Sequence, residues 1–224
     1  MHKHILLTLL AIGSVARVSQ ATLVTFSDAA AFFTQSGATS VGGFPSGTHV
    51  TDFKTGEASF QRTGSSTFHF ADWTTRFPGV EMAINGKEQF EVTFDNPIHS
   101  FGFDIVEVEK DPNLNGSFVD STFILNFYKL GSLAGTHSFN PPNDTVSFVG
   151  VSLSTAFDQV EFIESVGAEG NEFFGAFYSG KTAPAGVPDG GSSLAMLGSV
   201  CGILASVRAL RRTRNTDCGT RFRP

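Results

Sequence analysis

The residues best placed to do chemistry lie in one short run: Asp111, Asn113, Asn115 and Ser117, with Gly116 among them and Asp120 just beyond. Oxygen-bearing side chains at the first, third and fifth positions and Gly at the sixth resemble the opening of a calcium loop, because hard cations take oxygen ligands gathered on a tight turn. The twelfth position is Thr122 rather than a chelating Glu, and the flanks read as strands, so this is not an EF-hand. The expectation is one calcium ion held by Asp111, Asn113, Asn115 and Asp120 with the carbonyl of Ser117, charge being added by Glu107 and Glu109 upstream. The competing reading is an ordinary long turn, which also uses Asp, Asn, Pro and Gly.

Other candidates are more dispersed. Glu81, Glu88, Glu91, Glu161 and Glu164 contain enough carboxylates for a glycosidase pair, which would make the chain a secreted polysaccharide hydrolase, but their separation in space is set by the fold. His49, His69, His99 and His137 have no partner at helical spacing and no Cys nearby, so neither a zinc site nor a nucleophilic triad has local support. Trp73, close to Phe68, Phe70 and Phe77, is a candidate platform for a sugar ring, whereas the phenylalanines at strand spacing read as core. No catalytic residue emerges, and the chain reads as a non-enzyme.

The elements that must position these residues are mostly strands. Ser27-Asp28 before residues 29–35 and Gly37 after them predict one short capped helix. Residues 90–94 and 123–127 alternate apolar and polar side chains with period two, the mark of a half-buried strand. Further strands are expected at 58–61, 67–71, 80–84, 135–139, 146–151, 157–163 and 173–178, separated by turn signals such as Asn85-Gly86 and Asp95-Asn96-Pro97. Phe101, Phe103 and Ile105 share one parity while Val106 and Val108 take the other, which predicts a bulge near Ile105. About ten short strands at this spacing make an all-β protein, a two-sheet antiparallel β-sandwich of jelly-roll type.

Composition agrees with that class. The chain has 24 Phe and 24 Gly but one Trp, 3 Met and only 16% charged residues, so it is neither a disordered tail nor a membrane bundle. Between residues 22 and 186 stand 19 acidic and 7 basic residues, a net charge of −12. Such a surface repels phosphate backbones and excludes nucleic acid as a partner. Both cysteines, Cys201 and Cys218, lie beyond that region, which therefore contains no disulfide.

The two ends read as addresses. Residues 1–21 run from His2-Lys3-His4 through an apolar stretch to Ser19-Gln20-Ala21, the order of a secretory leader cut by signal peptidase. At the other end Val187, Pro188, Asp189, Gly190 and Gly191 precede a mostly apolar run at 192–207, followed by Arg208, Arg211, Arg212 and Arg214. The arginines stay cytoplasmic by the positive-inside rule, which puts the domain across the membrane. Sixteen residues at helical rise span about 24 Å, short of the hydrocarbon thickness, which suits a temporary hold better than a permanent anchor. The expected division is a leader at 1–21, a β-sandwich ectodomain at 22–181, a linker with the sorting motif at 182–191, a membrane segment at 192–207 and a basic tail at 208–224.

This three-part tail resembles the PEP-CTERM class of sorting signals, in its VPDSG variant, with Gly190 where the variant has Ser. The resemblance implies a protein held in the inner membrane by its tail, processed by an exosortase-like membrane enzyme and delivered to the cell surface or extracellular matrix. Residues 94–104 also resemble strand pairs in secreted galactose-binding-like sandwich domains, which implies a structural role or one in binding extracellular polysaccharide.

Overall fold

The computed structural model describes residues 21–184 except 66, 74–75, 85, 110–119 and 168–171. The leader, the VPDGG motif, the apolar run, the terminal arginines and loop residues Asp111, Asn113, Asn115 and Ser117 lie outside the described residues. Among the described residues no helix is long and apolar enough to cross a membrane.

One helix, α1 (Ala29–Ser36), forms where its caps predict: the Asp28 side chain accepts from Ala31 N at 2.6 Å, and Gly37, at φ 61°, donates its N–H to the Phe33 carbonyl. The other elements among the described residues are antiparallel strands. The strands are β1 (Leu23–Phe26), β2 (Thr39–Ser40), β3 (Thr48–Val50), β4 (Asp52–Thr55), β5 (Ala58–Arg62), β6 (Phe68–Ala71), β7 (Glu81–Ile84), β8 (Phe90–Glu107), β9 (Thr122–Lys129), β10 (Ser132–Phe139), β11 (Ser147–Val166) and β12 (Glu172–Gly180).

Two of these strands, of 18 and 20 residues, are longer than the sequence pattern suggests and join the two layers. The first part of β8 pairs with β5 and with the last part of β11, which in turn pairs with β9 and so with β10. The second part of β8 pairs with the first part of β11 and with β12, and this sheet continues through β7 and β6 to β3, with β1 beside β11 and β2 beside β12. Both long strands therefore cross from one sheet to the other, β8 around Asp95-Asn96-Pro97 and β11 between Ser152 and Phe157, where the register shifts. The Asp-Asn-Pro turn signal is a corner inside a continuous strand. The result is the expected β-sandwich, and because both strands double back, both ends of each lie at the same end of it.

Aromatic rings fill the space between the layers. Phe90 stacks on Phe162 of its own sheet at 4.1 Å and meets Phe174 of the other edge-on at 5.5 Å, while Phe60 packs edge-on against Phe177 at 5.0 Å across the gap. Phe–Phe pairs of this geometry contribute about 0.5–1.5 kcal/mol each beyond area burial. This explains why Phe dominates the composition: the core is built from it.

An irregularity does lie at Ile105, but the extra residue is on the partner strand: the register shifts between the Phe103↔Phe177 and Ile105↔Phe174 pairs of β8 and β12, while β8 pairs with β11 without interruption from Phe101 to Ile105. Val106 is buried for another reason, since it packs with Phe77, Phe173 and Trp73 on the outer face of the second sheet. Strand parity changes there because both faces are covered.

Candidate functional site

Two chain segments cover the outer face of the second sheet. Helix α1 sits over its β11 side, where Phe32 and Phe148 press on Gly102 and Gly150; a Cβ on Gly102 would stand 2.8 Å from the Phe148 ring and 3.1 Å from Phe32. Near β12, Trp73 lies edge-on to Phe173 at 5.4 Å and the Arg76 guanidinium stands 3.4 Å from the centre of the same ring. Arg76 is also ion-paired with the fully buried Glu81, which accepts from Phe77 N at 3.0 Å. These contacts fix the segment that carries Phe77, Pro78 and Val80.

A groove of about 470 Å³ remains on this face. Its floor is Asp104 of β8 with Gly175, Ala176 and Tyr178 of β12, and its walls are the Ser40 to Phe44 segment and Phe77, Pro78 and Val80. Gly175 belongs there: a Cβ on it would come within 2.8 Å of Phe77 and 3.0 Å of Asp104. The Tyr178 hydroxyl donates to Asp104 Oδ2 at 3.1 Å. Burial, together with the charge of Asp104, pushes the Tyr178 hydroxyl up to about 12. Burial also raises Asp104, an effect the Tyr178 hydrogen bond partly offsets. A carboxylate holding one donor keeps further acceptor capacity, and beside aromatic and apolar walls it suits a ligand that offers hydroxyl donors and C–H faces.

Carboxylates gather in two other places. On the open outer face of the first sheet Glu91 and Glu161 stand directly opposite across β8 and β11. Gln159 donates to Glu91, and Asn126 and the Tyr128 hydroxyl donate to Glu161, at 2.9–3.0 Å. The hydrogen bond to Glu161 raises Tyr128 above the usual tyrosine value.

At the shared end of the two long strands, Glu88, Glu107, Glu164 and Glu172 are each no more than 1% exposed. One oxygen from each of Glu88, Glu164 and Glu172 lies within 4.8 Å of the others. Glu88 N–H donates to Glu164 Oε2 at 2.9 Å, and Ser121 N–H to Glu107 Oε1 at 2.7 Å. Burial, reinforced by the neighbouring carboxylates, raises Glu88 well above the carboxylate range, and burial raises Glu172 to about 7. Arg62, mostly buried, is lowered by desolvation, while the charges of Glu88 and Glu164 pull it back up.

The five glutamates singled out by sequence thus separate into three settings. Glu88 joins Glu164 inside, Glu91 joins Glu161 outside, and Glu81 braces the groove wall. Trp73 is half-buried behind that wall, and Phe68 and Phe70 are core as expected. Asp120 is exposed and accepts from Asn140, and the exposed Glu109 donates its backbone N–H to Asp144. The histidines are not all solitary, since the rings of His49 and His69 lie 4.3 Å apart across β3 and β6. Sequence reasoning missed Asp104, Tyr178 and Glu172 as site residues. The only local signal for the first two was their position on strands rich in aromatics.

No protein-family model matches the chain, and no curated protein matches it. Among solved structures it is similar to the family 11 carbohydrate-binding module of the cellulosomal cellulase Lic26A-Cel5E of Clostridium thermocellum, at 10% identity and a TM-score of 0.35. That alignment covers 66% of this chain and 96% of the module, a likeness too distant to transfer a binding site.

Proposed function

We propose that this chain is an exported, non-catalytic β-sandwich protein of the cell surface or extracellular matrix, which binds carbohydrate in the groove over Asp104 and Tyr178. The groove carries the reading. It is concave, has mainly apolar walls, and places one carboxylate and one tyrosine where a sugar's hydroxyls and ring face would meet them. Among the described residues that line it, Asp104 is the single carboxylate, one fewer than acid–base hydrolysis of a glycosidic bond needs. The sorting part of the proposal rests on residues 187–191, 192–207 and the arginines from Arg208 to Arg214, with signal peptidase and an exosortase-like enzyme as processing partners.

Titration calorimetry against a panel of soluble polysaccharides tests the groove. Binding weakened about tenfold or more in Asp104→Asn and in Tyr178→Phe supports it, loss of one good hydrogen bond to a charged group being worth about 1.5–3 kcal/mol. Binding unchanged in both variants refutes it. Mass spectrometry of the mature protein tests the tail. A C-terminus within residues 187–191 supports sorting, and an intact Arg214 in membrane-bound material shows a permanent anchor instead.

A further inference from the structure

The glutamates buried at the shared end of β8 and β11 come from separate stretches of chain: Glu88 just before β8, Glu164 near the end of β11 and Glu172 at the start of β12. Glu88 is fully buried, and neither of its carboxylate oxygens meets a hydrogen-bond donor among the described residues. Both oxygens have been withdrawn from water and have the carboxyls of Glu164 and Glu172 as neighbours, a placement that proteins compensate with a counter-charge, a metal or a proton. Arg62 is the cation nearest to hand, and its charge acts on Glu88 and Glu164.

We propose that Glu88, Glu164 and Glu172 bind a divalent cation, calcium, which ties β8, β11 and β12 together at this end of the sandwich. The spacing fits. Calcium–oxygen bonds of about 2.3–2.6 Å set ligand oxygens up to about 5 Å apart, and the three carboxylates place one oxygen each within 4.8 Å of one another. The donor set selects the ion class, because it is all carboxylate oxygen, without imidazole or thiolate, the pattern of a hard cation rather than zinc or copper. Burial then favours calcium over magnesium, which keeps several of its waters and demands octahedral geometry. Carboxylates that chelate through both oxygens fill a calcium shell with few waters. Gly167, at φ 129°, borders the cluster: a Cβ there would overlap Glu164 Oε1 and lie 2.7 Å from Ser121 Oγ, so the chain leaves this space free of a side chain.

The rival account is that shared protons, not an ion, neutralise the cluster. Thermal unfolding of the full chain at pH 7.5, in chelator, in millimolar calcium and in millimolar magnesium, separates the two, together with metal analysis of the desalted protein. Calcium at a hundredfold excess over its dissociation constant should raise Tm by about 5–10 °C for a domain of this size, and one equivalent of calcium should survive desalting. In Glu88→Gln the rise should vanish, while Tm in chelator stays level or climbs because one of several like charges is gone. Glu172→Gln serves the same purpose if Glu88→Gln does not fold. Identical wild-type curves in chelator and calcium, with no metal retained, overturn the proposal in favour of protons. A calcium shift that survives in Glu88→Gln and disappears in Asp111→Ala overturns it in favour of the loop. Neither result bears on the groove.

Discussion

The two outer faces of the sandwich carry the same chemical pair. On the first sheet the Tyr128 hydroxyl donates to Glu161 at 2.9 Å, and on the second the Tyr178 hydroxyl donates to Asp104 at 3.1 Å. Only the second became a groove. The first face is a flat polar ladder whose donors, Asn126, Gln159 and Tyr128, satisfy Glu91 and Glu161 from neighbouring strands. The second is walled by the Ser40 to Phe44 segment and by the Phe77 to Val80 segment, with α1 covering the sheet beside them, so its pair is desolvated and concave. A polar pair on a strand is common chemistry; what makes it a candidate binding site is the cover built around it, which removes water and gives a ligand two walls. The buried glutamates at the end of the sandwich are the extreme of the same series, with carboxylates enclosed on every side.

The strongest way to break the contrast is to lift the cover. Gly102→Val puts a side chain where Phe32 and Phe148 already meet the sheet. Overpacking a tight site costs about 1–3 kcal/mol, and here it also unseats α1. An unfolding free energy in urea lowered by that amount is expected, with a lower midpoint and increased exposure of the Phe32 region to proteolysis. An unchanged midpoint would show that the helix does not pack as described.

Alkaline titration sharpens the contrast. The chain has only 2 tyrosines, Tyr128 and Tyr178, so ultraviolet absorbance resolves them. A tyrosine raised in the folded state binds its proton more tightly there than when unfolded. The associated stability is present below pH 10 and is lost as pH rises towards about 12 for Tyr178. Wild type should show a late ionisation near 12, which Tyr178→Phe abolishes and Tyr128→Phe leaves in place. A late step surviving in Tyr178→Phe would reverse the assignment of the enclosed tyrosine.

The smallest effect belongs to the open face. Glu91→Gln removes a like charge directly opposite Glu161. On a solvated sheet the change should be a gain of no more than about 0.5 kcal/mol in urea unfolding. A loss of several times that would show that the face is less open than its exposure implies.

Much of the scaffold is legible along the chain, for local reasons. The helix declares its ends through Asp28 and Gly37, and β9 and the first part of β8 follow from period-two alternation. The strands overlooked, β1 to β4, are edge or peripheral strands of 2–4 residues, too short for a period to register. Asp95-Asn96-Pro97 reads as a turn because turn chemistry also suits a corner where a strand changes sheets. The carboxylates are the least legible part. Glu88, Glu164 and Glu172 are separated by up to 84 positions (172 − 88) and share no motif, and only the doubling back of β8 and β11 brings them to one end.

The sequence by itself therefore determined class, charge and local elements: a Phe-rich, acidic, all-β domain with one capped helix. These properties depend on residue type and on neighbours a few positions away, so they can be read along the chain. Tertiary structure alone decided which acids face water, which face a groove wall and which face one another. That assignment depends on long-range pairing and on which segments cover which sheet, so identical side chains three positions apart, Glu161 and Glu164 on β11, end in opposite environments.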